Sequence, residues 1–519
     1  MTRSRLAALA LLSGLLMAFS FPLGAPLLPF QWEGMPLLGW VALSPLMLAC
    51  LRASRPRGAA MCGLLAGLVF ALLLLAWFYP FFIRWGMHTR PEALGVLVAL
   101  SAYVSLYTGM FAWILSRIAG RFGPRMALLA APVCWVAVEL ARNDLFTGFA
   151  WGLLGYSQQP VAAAIQVAQA GGVHAISFTL ACASSALALW HHQRRLRGAD
   201  WILVAAPALA LGLGAGALAL SPQGGSGEEI PAALIQANVI QADKWEPTEK
   251  VRIEADHTRL TRHAAASGAR LIIWSESSVP TSLTTDPDFA DRLAALAREI
   301  QADLLVGSVA YEQTGQRRDL FNSAFLVRAD TGAAGRYDKQ HLVPFGEYVP
   351  LRDSLSFLAP LAAEAGDFLP GTMSASLQAR SARLGILICY EAVFPYLGRR
   401  RVLEGAELLV NLTNDAWYGD TAMPRQHLAM AAMRAVETGR WMLRCANTGI
   451  SAVISPRGRI TDQAPLGTQR ALIAPVRALR GRTIYTRCGD AFAISCAILT
   501  ALATGWSFRR AHSRGPDVP

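Results

Sequence analysis

Charged residues are scarce in this chain of 519 residues: they make up 16% of it, whereas hydrophobic residues make up 54%. Ordinary soluble domains contain roughly 25% charged residues. The mean hydropathy of +0.35 is correspondingly high. This composition excludes an ordinary soluble protein and indicates several membrane spans. The chain also contains no internal repeat and no low-complexity segment.

Motifs for metals and phosphates are missing as well. The eight cysteines form no CxxC pair and no Cys/His cluster of zinc spacing, and no glycine-rich phosphate loop occurs. We therefore expect no metal and no cofactor. The net charge is +12, but the arginines cluster beside apolar segments and form no single basic stripe. No nucleic-acid partner is predicted from such a pattern.

Long apolar segments fill the first part of the chain. Residues 1–220 predict a membrane domain of seven helices, and residues 489–507 predict an eighth. Residues 1–21 begin like a signal peptide, but no small-x-small cleavage site follows, so this segment is interpreted as the first helix. The seven segments are 6–21, 36–51, 59–83, 93–116, 126–141, 160–190 and 201–220.

Arginines flank these segments asymmetrically. Clusters precede the first helix and follow the second, fourth, sixth and last, whereas the alternate loops hold only Arg84, Arg90 and Arg142. By the positive-inside rule, both termini, including the tail 508–519, lie in the cytoplasm. The odd number of helices before residue 225 then places the large domain outside the cytoplasm.

The pattern changes after residues 221–229, a stretch rich in glycine and serine that predicts a flexible linker. Over residues 230–480, short apolar runs alternate with helical and polar stretches, which is typical of an α/β domain with helix-covered sheets. The predicted helices are Asp288–Ile300 and Arg425–Glu437, and the predicted strands are Ala233–Val239, Arg270–Trp274, Asp303–Val309, Ser323–Val327, Leu384–Ile388, Leu408–Leu412 and Ala452–Ser455.

Three residues with complementary chemistry stand at or beside predicted strands. A buried strand runs into Cys389, another apolar strand ends near Glu276, and Lys339 lies in a polar turn between them. Taken alone, Cys389 would be interpreted as a small buried hydrophobic residue. A thiol, a carboxylate base and a cation together, however, are the groups that acyl transfer through a thioester needs.

Glu276, Lys339 and Cys389, in this order and setting, resemble the catalytic residues of the nitrilase, or carbon–nitrogen hydrolase, superfamily. With its membrane segments, the chain is similar over nearly its whole length to the bacterial apolipoprotein N-acyltransferases. The resemblance implies a four-layer αββα sandwich joined to about eight transmembrane helices, in the inner membrane, with the sandwich in the periplasm. It also implies that an acyl chain passes from a phospholipid, with phosphatidylethanolamine as the expected donor, through Cys389 to a diacylglyceryl-modified apolipoprotein.

The resemblance implies individual roles as well. Glu276 is the expected general base, with Ser275 where the family has proline. Lys339 is expected to stabilise the oxyanion, helped by backbone N–H groups around Tyr390. The resemblance assigns support of the site and substrate binding to Trp245, Glu347, Tyr390 and Glu391.

Other residues keep two interpretations. Trp245 is equally compatible with a surface aromatic residue after the first strand. Glu139 and Arg142 suit an ion pair one helical turn apart beside an interfacial aromatic belt. Alternatively, they begin the family's external loop, which continues through Phe149–Gln158 and has Ala150 where a proline is usual.

Three further sites are interpreted as secondary. His427 is expected to be structural, because its helix carries apolar residues at core spacing. Cys445 is the one serious rival thiol. The apolar segment Ser354–Leu361 is either a packed insertion or an arm that dips into the bilayer.

Two other functions fit parts of the chain. A membrane-tethered, nitrilase-like amidase would use the same three residues, but eight spans are more than a tether requires. A transporter or receptor would carry charged residues in the middle of its helices, and the predicted spans are almost free of them.

Overall fold

The computed structural model describes residues 2–85, 89–221, 227–348, 367–372 and 376–508. The predicted apolar arm at 354–361 lies outside these ranges, as do residues 222–226 of the predicted linker and the tail from residue 509.

Helices form most of the first 220 residues. Within the described ranges, six helices of the chain are long and apolar enough to cross a membrane, namely residues 56–74, 90–122, 124–144, 168–193, 198–220 and 491–508. The N-terminal helices are α1 Arg3–Phe19, α2 Pro36–Gly39, α3 Ser44–Arg52, α4 Pro56–Leu74, α5 Phe78–Trp85, α6 Arg90–Phe122, α7 Pro124–Asp144, α8 Ala162–Ile165, α9 Ala168–Gln193 and α10 Ile202–Leu220.

Two of the eight predicted spans are formed by helices that are shorter than any of these six. Helix α1 has 17 residues. The second predicted span consists of the two short helices α2 and α3, separated by turns, with Pro45 in the first turn of α3. Helix α9 is also interrupted, because the backbone at Gly171 and Gly172 is not helical and Gly172 has a φ of +67°. Glycine adopts that conformation without steric cost.

The elements of the α/β domain follow α10, and after them comes α16, the last of the six helices that are long and apolar enough to cross a membrane. Most helices here have an apolar face that packs on a sheet, as α12 does through Phe289, Leu293 and Leu296. The elements are β1 Glu229–Gln236, α11 Lys250–Ala266, β2 Leu271–Trp274, α12 Pro287–Ile300, β3 Asp303–Thr314, β4 Arg317–Arg328, β5 Gly332–Asp338, β6 Ser376–Gln378, β7 Arg383–Ile388, α13 Pro395–Leu403, β8 Leu408–Thr413, α14 Met423–Thr438, β9 Met442–Ala446, β10 Ala452–Ile454, β11 Ile460–Gln463, β12 Arg470–Arg477, α15 Ile484–Cys488 and α16 Ala491–Phe508.

Two six-stranded sheets form the centre of this domain, in the orders β12-β1-β2-β3-β4-β5 and β11-β10-β9-β8-β7-β6. Strands β1, β2 and β3 are parallel, as are β7, β8 and β9. One apolar core lies between the sheets, and a second lies between the first sheet and α11 and α12. The predicted αββα sandwich is therefore confirmed.

The second sheet is covered by α13 and α14, and these helices share one continuous apolar core with the membrane helices. Gln426 of α14 illustrates the contact. Its amide oxygen accepts hydrogen bonds from the indoles of Trp77 at 3.1 Å and Trp151 at 2.7 Å. Its amide nitrogen donates to the carbonyls of Pro22 and Leu74. All four partners belong to the membrane domain, so α14 is fixed against it.

Candidate active site

Cys389 lies immediately after β7, where the chain enters a 3-10 turn over Cys389–Val393. Its backbone φ is +49°, a conformation that a residue with a side chain rarely adopts. Such strain persists where the surroundings enforce it, as at many active sites. The thiol is half-buried at the carboxyl end of a parallel strand, where α/β proteins commonly place functional groups.

Glu276 follows β2 in the opposite sheet, and its carboxylate is buried. One oxygen accepts a hydrogen bond from the Asn322 side chain at 2.7 Å, and the other accepts the backbone N–H of Asn414 at 2.8 Å. Asn414 directly follows β8, which pairs with β7. These bonds therefore hold Glu276 at the edge where the two sheets bring their strand ends together.

Lys339 follows β5 and is 1% exposed, so the residue expected in a polar turn is buried. Its ammonium group lies 2.8 Å from Glu347 and 3.6 Å from Glu276. Burial alone would lower the pKa of Lys339, but the charges of Glu347 and Glu276 raise it above its usual range. The site therefore holds a permanent cation.

Burial and the neighbouring charges determine the protonation state of the Cys389 thiol. Burial raises the pKa of the Cys389 thiol above its usual range, Glu276 raises it further, and Lys339 lowers it. The Cys389 side chain at rest is therefore a neutral thiol, which would have to lose its proton to act as a nucleophile. Burial also raises the pKa of Glu276, while Lys339 lowers it. A carboxylate with a raised pKa is suited to accept that proton.

Glu347 and Glu391 hold the lysine loop. Glu347 accepts the backbone N–H of Val343 at 2.8 Å with the oxygen that does not bind Lys339. Glu391 is fully buried and accepts the backbone N–H of Gln340 and of Ile388, at 2.8 and 2.7 Å. Glu391 thus ties the segment after β5 to the end of β7. Both glutamates orient other groups in the site.

Tyr390 and Trp245 differ in their surroundings. Tyr390 is half-buried and packs edge-on against Phe394, with ring centroids 5.0 Å apart. Trp245 is 52% exposed on the segment after β1. In the described part of the chain, no hydrogen bond or ring contact joins Trp245 to Glu276, Lys339 or Cys389. Its predicted place in the site stays a prediction.

Sequence reasoning passed over Lys244. Its ammonium group is buried and has no hydrogen-bond partner among the described residues. Burial lowers the pKa of Lys244 to about 8, and the charge of Glu276 acts in the opposite direction. The chain contains only three lysines, at positions 244, 250 and 339. Because two of the three influence Glu276, the scarcity of lysine was the signal that would have found this residue.

Of the two interpretations of Glu139 and Arg142, the direct ion pair does not form. Glu139 instead accepts the backbone N–H of Leu154 at 2.7 Å, and Arg142 donates to the carbonyl of Gly152 at 3.0 Å. Trp151 is buried and donates to Gln426, so its ring is not exposed as an aromatic belt would require. The stretch is a folded loop that helps to dock the catalytic domain.

Cys445 is unsuited to act as a rival nucleophile. It is fully buried in β9, and its thiol lies 3.2 Å from the carbonyl of Ile273 and 3.4 Å from that of Ile235, both in the opposite sheet. Burial raises its pKa, and the charged side chain that acts on it, Arg444, is a cation and not a base. His427 is also fully buried, within α14.

Two families match the chain in sequence. The carbon-nitrogen hydrolase family matches residues 231–485, and the apolipoprotein N-acyltransferase N-terminal domain matches residues 13–186. Among solved structures, Nit3 of Saccharomyces cerevisiae, a nitrilase-superfamily member, aligns with a TM-score of 0.39 and 18% identity over 50% of this chain and 93% of its own. An amidase from Nesterenkonia sp. aligns with a TM-score of 0.38 and 18% identity over 52% and 97%.

The sandwich and the grouping of glutamate, lysine and cysteine define a protein of the carbon–nitrogen hydrolase class. The chain is 38% identical to an apolipoprotein N-acyltransferase of Geobacter metallireducens over 97% of this chain and 95% of the relative. It is 35% identical to that of Methylococcus capsulatus over 97% of both chains. This chain belongs to the apolipoprotein N-acyltransferase family, a family of multi-span membrane enzymes. The match of the N-terminal domain favours this function over that of a tethered amidase.

Proposed function

We propose that this chain transfers an acyl chain from a phospholipid, phosphatidylethanolamine, to the α-amino group of a diacylglyceryl-modified apolipoprotein. The observation that carries the proposal is the convergence of Glu276, Lys339 and Glu347 beside the strand end that bears Cys389. Family membership supports the same reaction. No feature favours a second function.

The reaction divides into two steps at Cys389. In the first, its sulfur attacks the ester carbonyl, the S–H proton passes to Glu276, and the lysophospholipid leaves with that proton. In the second, the amine attacks the thioester and its proton passes through Glu276 to the departing thiolate. Lys339 and the Tyr390 N–H stabilise the oxyanion in both steps. The buried position of Glu276 and Lys339 supports exclusion of water, which would otherwise hydrolyse the thioester.

A cavity at the domain boundary supports lipid access. It has a volume of about 750 Å³ and lies between the loop after α7, with Phe146 and Thr147, and a catalytic-domain wall that includes His341, Leu342 and Phe394. The ring of His341 packs against Phe394 with centroids 3.9 Å apart, and Phe394 contacts Tyr390. The lining mixes polar and apolar side chains, and its apolar part, with Phe146 on one side and Leu342 and Phe394 on the other, suits an acyl chain that arrives from the bilayer.

The proposed location is the bacterial inner membrane, with the catalytic domain in the periplasm. The arginine clusters beside alternate spans support cytoplasmic termini. With α1 and the α2–α3 pair counted as spans, the number of spans before the α/β domain is odd. The chain therefore leaves α10 on the outer side of the membrane. Diacylated acceptors and phospholipids are both held in the outer leaflet of this membrane. The enzyme therefore has access to both substrates without releasing either into water.

A covalent intermediate tests the mechanism. Detergent-solubilised protein is incubated with phosphatidylethanolamine that carries a labelled acyl chain, without acceptor. We expect the label on Cys389, stable to denaturation and cleaved by neutral hydroxylamine, as thioesters are. A diacylglyceryl peptide with a free N-terminus is expected to remove the label and become acylated. Label on the protein that the peptide does not remove would contradict the transfer step.

Two cysteine variants serve as controls. Cys389→Ala is expected to form no adduct, and Cys445→Ala is expected to label like the wild type, because Cys445 lies between the sheets. Mass spectrometry of the labelled peptide identifies the modified residue. Product that accumulates without any adduct on Cys389 would refute the two-step mechanism.

A further inference from the structure

The backbone carbonyl of Cys389 is held by two side chains. His427 lies on α14, and its Nε2 atom is 3.1 Å from this carbonyl oxygen. Asn411 of β8 donates its amide to the same oxygen at 3.4 Å and to the carbonyl of Leu387 at 3.1 Å. Both side chains are fully buried. The nucleophile is therefore restrained through its main chain as well as through β7.

The neighbours of His427 fix its tautomer. A carbonyl oxygen only accepts hydrogen bonds, so Nε2 carries the hydrogen. Nδ1 is 3.2 Å from a guanidinium nitrogen of Arg444 and 3.2 Å from Asp415. Burial and the charge of Arg444 lower the pKa of His427, whereas the charge of Asp415 and its hydrogen bond raise it. The net direction is downward, so the ring is neutral and Nδ1 accepts from Arg444. With Nε2 already donating to the carbonyl, His427 has no free nitrogen to act as a base.

Arg444 organises the whole arrangement. This residue of β9 is fully buried. It donates to the side-chain oxygen of Asn411, to Nδ1 of His427 and, at 2.5 Å, to Asp415. The two donors to the Cys389 carbonyl are thus both fixed by one guanidinium group. Because an unpaired buried charge is costly, this network has few alternative arrangements.

The direction of the carbonyl determines the direction of the next N–H group. The peptide bond between Cys389 and Tyr390 is trans, since the cis bonds among the described residues lie elsewhere. In a planar trans peptide, the C=O and N–H bonds point in opposite directions. A donor that fixes the Cys389 carbonyl therefore also fixes the Tyr390 N–H. Rotation of this one peptide unit would turn both groups together.

We propose that His427 is a positioning residue that aims the Tyr390 N–H at the oxyanion by holding the Cys389 carbonyl. The proposal rests on Cys389 as the nucleophile. It makes His427 important for steps that pass through a tetrahedral oxyanion and unimportant for reactions of the thiol that form none. A merely structural histidine would affect both kinds of reaction equally.

Two reagents for the full-length protein in detergent separate these roles. p-Nitrophenyl acetate acylates Cys389 through a tetrahedral oxyanion, with the thiol proton taken by Glu276 and p-nitrophenolate leaving. Iodoacetamide alkylates the same sulfur by displacing iodide, without an oxyanion. The rate of each reaction at Cys389 is followed by mass spectrometry of its peptide. Wild-type protein that resists acylation would contradict Cys389 as nucleophile, which is a different failure from the ones below.

In His427→Leu, acylation of Cys389 is expected to slow by about 100-fold, the typical cost of a misplaced catalytic group, while alkylation stays within about twofold of wild type. His427→Gln, whose amide nitrogen can stand near the position of Nε2, is expected to retain most acylation. His427→Asn, with a shorter side chain, is expected to lose it. Thr438→Val is the matched control, because it removes another buried hydrogen bond of α14 without touching Cys389.

Four outcomes would overturn the proposal. Acylation could remain at the wild-type rate in His427→Leu, or acylation and alkylation could fall by the same factor. If His427→Leu does not fold, the comparison of His427→Gln with His427→Asn decides, and equal acylation rates in these two variants reject a positioning role. Failure of all three variants to fold would assign His427 to the fold alone.

Discussion

The carboxylate of Glu437 in α14 accepts a hydrogen bond from the backbone N–H of Val173 in α9, at 2.9 Å. Val173 follows the break at Gly172, where the first N–H groups of the new helical segment have no carbonyl of their own helix to bind. The same carboxylate pairs with Arg434, which also donates to the hydroxyl of Tyr156. A side chain of the catalytic domain thus caps a membrane helix.

Glu437→Gln should destabilise the protein. The amide keeps the shape but leaves the fully buried Arg434 without its counter-charge. Breaking one side of a buried ion pair costs about 3 to 5 kcal/mol. We expect a clearly lower Tm in detergent. The control is Glu299→Gln, which breaks an exposed pair with Arg262 and is expected to leave Tm nearly unchanged. Equal Tm values for the two variants would show that the Glu437 cap contributes little to stability.

Glu276→Gln and Lys339→Met should each slow acylation of Cys389 by phospholipid by about 1,000-fold. The first removes the proton acceptor and the second removes the buried cation. Lys250→Met is the matched control, since Lys250 is partly exposed in a pair with Asp286, and it is expected to acylate normally. Near-normal acylation by either folded site variant excludes that residue from the mechanism.

The pH dependence of acylation should report on Glu276. The rate is expected to fall as the pH drops through the pKa of Glu276, because the protonated carboxyl group accepts no further proton. The charge of Lys244 lowers that pKa, so its removal in Lys244→Met should raise the pKa and move the acid limb to higher pH. Lys250→Met should leave the limb in place. If the acid limb shifts equally in both variants, or in neither, Lys244 does not control the pKa of Glu276.

Trp245→Ala should weaken substrate binding more than it slows chemistry. The side chain is 52% exposed, so its loss leaves the fold and the hydrogen bonds of Glu276 intact. Loss of one aromatic contact with a lipid predicts a KM increase of about tenfold, equivalent to about 1.4 kcal/mol, with Tm unchanged. Val251→Ala, at another exposed apolar residue, is the control. A fall in kcat at constant KM would place Trp245 in the chemical step instead.

Reporter fusions should reveal the orientation in the membrane. A reporter that functions only outside the cytoplasm is expected to be active after Ser221 and inactive after Arg197 or Pro519. The physical reason is the clustering of arginines beside alternate spans. A cytoplasmic signal from the fusion at Ser221 would refute both the odd number of spans before the catalytic domain and its periplasmic location.

The positions of Cys389 and Glu276 were predictable because each follows an apolar strand that the local pattern identifies, whereas Lys339 follows β5, which that pattern does not identify. Five strands were missed, namely β5, β6, β9, β11 and β12. The residues of β9 and β5 give the physical reason for these two. Strand β9 carries the buried Arg444, which interrupts the apolar run that marks a central strand. Strand β5 consists largely of glycine, alanine and charged residues and lacks β-branched side chains. In both cases partners in the fold outweigh the intrinsic preference of the segment.

Contacts between residues that are far apart in the sequence leave no pattern in the local sequence from which they could be predicted. The interpretation that pairs Glu139 with Arg142 used their spacing on a helix, whereas each of them forms a separate hydrogen bond with the loop backbone. The bond between Trp77 and Gln426 joins residues separated by 349 positions. The burial of Lys244 depends on how the segment after β1 folds over Glu276. Such contacts follow from the assembled structure and not from periodicity.

The apolar core that α13 and α14 share with the membrane helices has a consequence for the catalytic half as an isolated polypeptide. Expressed alone, residues 227–480 would expose the faces of these helices and the polar groups of Gln426 and Arg434 to water. Large exposed apolar patches promote aggregation. Unlike a free-standing soluble enzyme, this half therefore depends on the first 220 residues to cover these faces and prevent aggregation.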